Sequence, residues 1–260
     1  MLTFFFFLII VMHSISYFTL LAVTLGFVSL PGASAASAKV YDKCVTPGTF
    51  ALTFDDGPYK YSWSLAEKLE AEGIAATWFV NGKNWVNVAT DKVEVNGEMK
   101  TYKQVLQKVH DSGHQIASHT YSHKELAGQS NQVIRREMQK NEDVIRSAIG
   151  KRPTFMRPPA GSLDKNVLKV LGSLGYHVVL WDIDSNDWRT HNFESEQKEY
   201  KSVLDNESEK GGHIALNHEV YDQTIDELVP WVIDYVKSKN YRFVTVAECL
   251  GFPKESAYRN

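Results

Sequence analysis

Downstream of residue 38 the chain alternates short apolar runs with segments of helical periodicity. Residues 49–54 (TFALTF) form a run of strand length that ends in the turn cluster Asp55-Asp56-Gly57-Pro58. Residues 61–72 carry helical spacing, and 76–80 (ATWFV) read as the next strand. The alternation continues with a helix over 103–111, a strand over 115–118 and an amphipathic helix over 132–149 stopped by Gly150. A short strand at 154–157, a helix at 165–174 closed by Gly175, and strands at 176–181 and 213–216 follow. A helix over 228–239 and a strand over 242–246 end the pattern, whereas 84–101 reads as an irregular, partly polar loop beside a cleft. Such alternation predicts a mainly parallel sheet, open or closed into a barrel. Asp55-Asp56, His119, Arg157, Asp182 to Asp184 and His218 each directly follow a predicted strand. In a parallel barrel those strand ends share the face on which active sites are built.

Composition changes this picture at one end of the chain. An apolar share of 43% supports a real core, and a net charge of −3, from 28 basic and 31 acidic residues, excludes a nucleic-acid-binding surface. Residues 1–38 hold no Lys, Arg, Asp or Glu. Within them, residues 4–30 are long enough to cross a bilayer, and Ala33-Ser34-Ala35 and Ala36-Ser37-Ala38 both match a signal-peptidase site. The pattern predicts a signal peptide over 1–38, with Met12 an alternative start, ahead of a catalytic domain over 39–260; a retained anchor is the alternative. Export permits a disulfide between Cys44 and Cys249, the two cysteines, which are otherwise two buried thiols. Asn206-Glu207-Ser208 is the one acceptor for an N-linked glycan.

Candidate chemistry clusters at the strand ends. His119 and His123 are spaced i, i+4, which on a helical turn aims both imidazoles one way, as a divalent metal requires; the same spacing also occurs in ordinary surface histidines. A carboxylate from Asp55-Asp56 would complete a His₂-carboxylate set with an open position, although an acidic pair is equally at home in a turn. Arg157, stiffened by Pro158-Pro159, would orient and acidify an acid beside it, or form a surface ion pair. Asp184-Ser185-Asn186-Asp187-Trp188 sets acids beside an aromatic, and His218 could protonate a departing amine if an Asp oriented it.

Taken in order, Thr53-Phe54-Asp55-Asp56-Gly57-Pro58, the His119/His123 pair, Arg157-Pro158-Pro159-Ala160-Gly161, Asp184 through Trp188 and Leu216-Asn217-His218 resemble the five motifs of the polysaccharide deacetylases, the NodB-type carbohydrate esterases. The exported single-domain form is most similar to fungal chitin deacetylases, and the match runs over about residues 49–246. The resemblance implies an α/β fold, a distorted (β/α) barrel of mainly parallel strands, acting alone on chitin or N-acetylglucosamine oligomers. It also implies roles: Asp55 the catalytic base; Asp56, His119 and His123 the ligands of Zn²⁺ or Co²⁺; Arg157 the partner of Asp55; and Asp187 the tuner of the acid His218. Trp188 and Leu216 would line the pocket for the acetyl methyl, and the backbone N–H of Ala160 would hold the oxyanion. Two departures stand out: Ala160 occupies a position where many relatives carry an aromatic, and Glu219 one where Asp is common. Trp78, Trp85 and Trp231 could stack on sugars or pack in core and rim. Rival expectations are O-deacetylation of acetylxylan, a cyclic-amide hydrolase on a related barrel, and a secreted sugar-binding protein that has lost catalysis.

Overall fold

All seven residues of Thr49–Asp55 are buried, as befits a parallel strand covered on both faces. The computed structural model describes residues 36–260, so all but the last three residues of the segment read as a signal peptide lie outside the described residues. In chain order the strands are β1 (Val40–Tyr41), β2 (Thr49–Asp55), β3 (Thr77–Val80), β4 (Lys92–Val95), β5 (Glu98–Thr101), β6 (Gln115–Ser118) and β7 (Arg152–Pro153). They continue as β8 (Phe155–Met156), β9 (His177–Val179), β10 (Ile183–Asp184), β11 (His213–His218), β12 (Arg242–Phe243) and β13 (Tyr258–Arg259). The helices are α1 (Ser62–Ala71), α2 (Tyr102–Asp111), α3 (Asn131–Ile149), α4 (Lys165–Ser173), α5 (Asp187–Thr190), α6 (Phe193–Leu204), α7 (Val229–Ser238) and α8 (Val246–Cys249).

Nine strands form one parallel sheet in the order β1-β9-β8-β6-β3-β2-β11-β10, with β12 taking the start of β2 and β3 its end. No ladder joins β10 to β1 among the described residues, so the barrel is incomplete. Register aligns the strand ends: Asp55 sits opposite His218 on one side and Phe79 on the other, and Ser118 opposite Met156.

Alternation along these strands sorts side chains between two cores. Phe50, Leu52, Phe54, Trp78 and Ile116 face outward, under Leu65 and Leu69 of α1, Leu106 of α2 and Val232 of α7. Ala51, Phe79, Ala117, Phe155 and Ile214 face the barrel axis, where α8 closes the lower end with Val246, Ala247 and Cys249. Strand side chains repeat every two residues, so Thr53, Asp55, His119, Arg157, Leu216 and His218 share the inward parity of that second set. The polar residues at the strand ends are thus an extension of the inner core toward solvent.

The structure departs from the sequence pattern in places. Residues 84–101 are not irregular throughout: β4 and β5 pair as an antiparallel hairpin across Asn96-Gly97, both with positive φ (52° and 82°). Two such residues suit the tight hairpin turn whose twist matches its strands. The strand over 242–246 is shorter and gives way to α8, which Thr245 caps with Glu248 in a reciprocal box. The bridge between Cys44 and Cys249 is present, with Cα atoms 4.6 Å apart, and ties the loop after β1 to the end of α8. No helix among the described residues is long and apolar enough to cross a membrane.

Candidate active site

The inner residues of β2 meet Arg157 on the barrel axis. Arg157 is fully buried; its Nη1 donates to Asp55 Oδ1 at 2.7 Å and to Thr53 Oγ1 at 2.8 Å, and its Nη2 to the Leu180 carbonyl at 3.0 Å. Phe79 lies beneath the guanidinium, 4.1 Å from ring centroid to Cζ. A buried pair of this kind is tolerated only when hydrogen bonds satisfy the rest of both groups, and here they do so for Arg157. One oxygen of Asp55 is thereby fixed, and Oδ2 faces His119 Nε2 at 3.6 Å.

The next residue turns the other way. Asp56 has a φ of 71°, which swings its side chain off the strand alternation toward the two histidines. His123 Nε2 lies 3.1 Å, and His119 Nε2 3.7 Å, from Asp56 Oδ1. That oxygen is buried and has no hydrogen-bond partner, while ligand atoms from all three residues fall within 4.8 Å of one another. His119 Nδ1 stands 2.8 Å from the Arg157 carbonyl, which can only accept, so Nδ1 carries the proton and Nε2 offers a lone pair. Burial pushes the His119 imidazole below its ordinary pKa, toward the neutral form a metal needs. The donor set and the orphaned oxygen therefore fit a divalent ion. The geometry expected of the histidine pair differs, however: His119 to His123 is no helical turn. Thr120 and His123 have positive φ (68° and 54°), and Thr120 Oγ1 accepts from Lys124 N–H to close the loop.

Beside Asp55, at the end of the neighbouring strand β11, stands a second pair, His218 with Asp187. Asp187 is fully buried, and four donors converge on it: His218 Nδ1 and its backbone N–H, both at 2.7 Å, Trp188 N–H at 2.8 Å and Thr224 Oγ1 at 2.9 Å. Burial alone would lower the His218 pKa, but the Asp187 charge and hydrogen bond, with Asp55 and Asp56 beyond, lift it to about 9. His218 is thus cationic at neutral pH, with Nε2 free to give a proton.

Asp55, Asp56, His119, His123 and His218 line a cleft of about 470 Å³ whose other walls are Ala160, Trp181, Asp184, Trp188, Leu216 and Tyr221. Ala160 holds a φ of 53° there. Asp184 accepts the Asn186 N–H, and burial raises its pKa. Asp182, which also follows a strand, does not join the cleft: its carboxylate binds His213 Nδ1 and the Ile214 N–H at the opposite end of β11. Trp78 is fully buried, its Nε1 donating to Glu219, and Trp231 stacks on Tyr235, so neither offers a face to the cleft. Trp85 is half exposed and packs with Tyr59 and Tyr221. Sequence reasoning missed Trp181, Tyr221 and Thr224; Trp181 and Tyr221 lie within three residues of a strand end, the one signal that pointed to them.

The polysaccharide deacetylase family model matches residues 42–179. This chain belongs to the polysaccharide deacetylases. It is 37% identical to a chitin deacetylase of Pestalotiopsis sp over 227 residues, covering 87% of this chain and 72% of that protein. Against a chitin deacetylase of Arthroderma benhamiae the figures are 35% over 224 residues, with 85% of this chain and 56% of the longer relative covered. The solved chitin deacetylase of Colletotrichum lindemuthianum superposes with a TM-score of 0.78 at 32% identity, covering 86% of this chain and 96% of that one. The deacetylase fold is therefore shared over nearly all the described residues.

Proposed function

We propose that this polysaccharide deacetylase hydrolyses the N-acetyl groups of N-acetylglucosamine units in chitin or chito-oligosaccharides, releasing acetate and leaving glucosamine. The observation that carries the reading is the pairing of an Arg157-held carboxylate with an Asp187-held imidazolium in the same cleft as the orphaned Asp56 oxygen. Asp56, His119 and His123 would hold one Zn²⁺, or Co²⁺ in its place. The chemistry such an ion supplies is Lewis-acid polarisation of a carbonyl and a water acidified to a pKa of about 7.

Every other step falls to the chain itself. Asp55, aimed by Arg157, takes the proton of the attacking water as its oxygen bonds to the acetamide carbon. The Ala160 N–H faces the carbonyl oxygen as negative charge gathers on it. His218 then delivers its proton to the nitrogen as the C–N bond breaks, since an amine leaves only when protonated. Trp188 and Leu216 enclose the acetyl methyl. The amide reading is favoured over the ester of acetylxylan because the lifted pKa keeps His218 charged for a poor leaving group. Loss of catalysis in favour of sugar binding alone is disfavoured by the complete donor set.

The test compares acetate release from N-acetylglucosamine oligomers and acetylxylan. Release from the oligomers supports the reading, and release from acetylxylan alone contradicts it. We also propose that the uncharged leader over 1–38 is removed on export to the cell exterior or wall, and that exposed Asn206 carries a glycan. N-terminal sequencing of secreted protein decides the former; a mature chain that still holds residues 4–30 contradicts it.

A further inference from the structure

The ligand-bearing segments are held in costly conformations. Asp56, Thr120 and His123 all have left-handed φ, and Thr120 is β-branched. Such a conformation is unfavourable for a residue with a side chain and persists only where its surroundings over-determine it. Two buried polar side chains outside the ligand set supply those surroundings.

Asn81 directly follows β3 and is 2% exposed. Its backbone N–H donates to the Gly57 carbonyl at 2.8 Å, one residue past Asp56. Its side-chain Nδ2 donates to the His119 carbonyl at 2.5 Å and the Thr120 carbonyl at 2.8 Å. One residue thus grips both halves of the triad, the acidic turn and the histidine loop. Because both side-chain acceptors are carbonyls, only the NH₂ end of the amide can face them. Glu137, on α3 and 5% exposed, grips the loop further along: Oε2 accepts the Ser122 N–H at 2.9 Å and Oγ at 3.0 Å, immediately before His123. Asn141, one helical turn on, donates to the Val80 carbonyl and Ser118 Oγ, fixing the ends of β3 and β6 from which Asn81 and the histidine loop depart.

We infer that Asn81, with Glu137 as a second brace, is a positioning residue that sets the separation of Asp56 from His119 and His123, and so sets the metal affinity of the site. The inference rests on the reading of those three residues as a metal site. Neither brace is called on for proton transfer, so their loss should weaken metal binding more than it slows the loaded enzyme. Outer partners of metal ligands typically contribute about 10–100-fold to affinity.

The test measures zinc affinity of the folded full chain by competition with a chromophoric chelator, alongside circular dichroism. Asn81→Asp keeps the shape but turns a carboxylate toward two carbonyls, and Asn81→Ser removes the reach; each is expected to bind zinc about 10–100-fold more weakly. Glu137→Gln carries the test should the Asn81 variants not fold, with a smaller loss in the same direction and kcat at saturating zinc within a few-fold of the parent. Folded variants that bind zinc as tightly as the parent overturn the inference alone. A parent chain that takes up no zinc overturns the metal-site reading and this inference with it.

Discussion

Asp187 and Glu219 are both buried carboxyls, but their neighbours differ. Asp187 receives four hydrogen bonds and holds His218 in its charged form. Replacing it by Asn removes the charge that lifts the imidazole to about 9. The alkaline limb of kcat/KM against pH, where a general acid is lost, is then expected to move from about 9 down toward the ordinary histidine value of about 6.5. An unmoved limb would mean that another group donates the proton. Glu219 has fewer donors: Trp78 Nε1 bonds Oε2 at 2.7 Å while Oε1 is buried without a partner, and burial raises its pKa to about 8. The same carboxyl explains Gly57, where an added Cβ would lie 1.5 Å from Glu219 Oε1. The folded chain keeps a proton on Glu219 that the unfolded chain, at about 4.5, releases. Stability from this residue therefore falls as pH rises from about 4.5 to about 8, by up to about 1.4 kcal/mol per unit, and is level above that. Glu219→Gln removes the titration, so its advantage over the parent should grow between pH 5 and pH 8 in urea unfolding. Parallel pH curves for both proteins would contradict this.

Elements position these groups through caps and parity. The link from the β4–β5 hairpin into α2 depends on Thr101, whose side chain accepts the Gln104 N–H while Gln104 reaches back to the Thr101 N–H. Thr101→Ala is expected to lower unfolding free energy by about 1 kcal/mol in denaturant titration; no change would mean that hairpin packing alone holds the junction. Most elements were legible in the sequence because their apolar spacing is strong: α3, stopped by Gly150 in left-handed geometry, has nearly the expected bounds. The β4–β5 hairpin was not legible by that signal, since its strands expose or half-expose every residue and only Asn96-Gly97 marks the turn. The histidine pair was legible as a pair but not in geometry: i, i+4 spacing implies a helical turn, whereas two left-handed residues bring the rings to 5.1 Å between centroids. Asp182 shows the limit of position within a strand-end cluster, because the register of β10 on β11 sends it to His213.

At the scale of the whole molecule, the parallel sheet sets the polar ends of β2, β6, β10 and β11 around one cleft with Arg157 buried beside it, and the bridge between Cys44 and Cys249 closes the opposite end across 205 residues. That division, with a sealed apolar base and a polar mouth, lets an ion pair as deep as Arg157 and Asp55 survive beside an open cleft. Family membership was legible in the order and spacing of the motifs. Asn81 and Glu137 were not, since their partners are backbone groups and a serine hydroxyl removed from them in sequence. The central claim, that a metal held by Asp56, His119 and His123 works with Asp55 and His218 on an acetamide, is tested most directly by acetate release from a chito-oligosaccharide before chelation, after it, and after zinc is restored. The expected result is activity lost on chelation and recovered with zinc; acetate release untouched by the chelator would contradict the account.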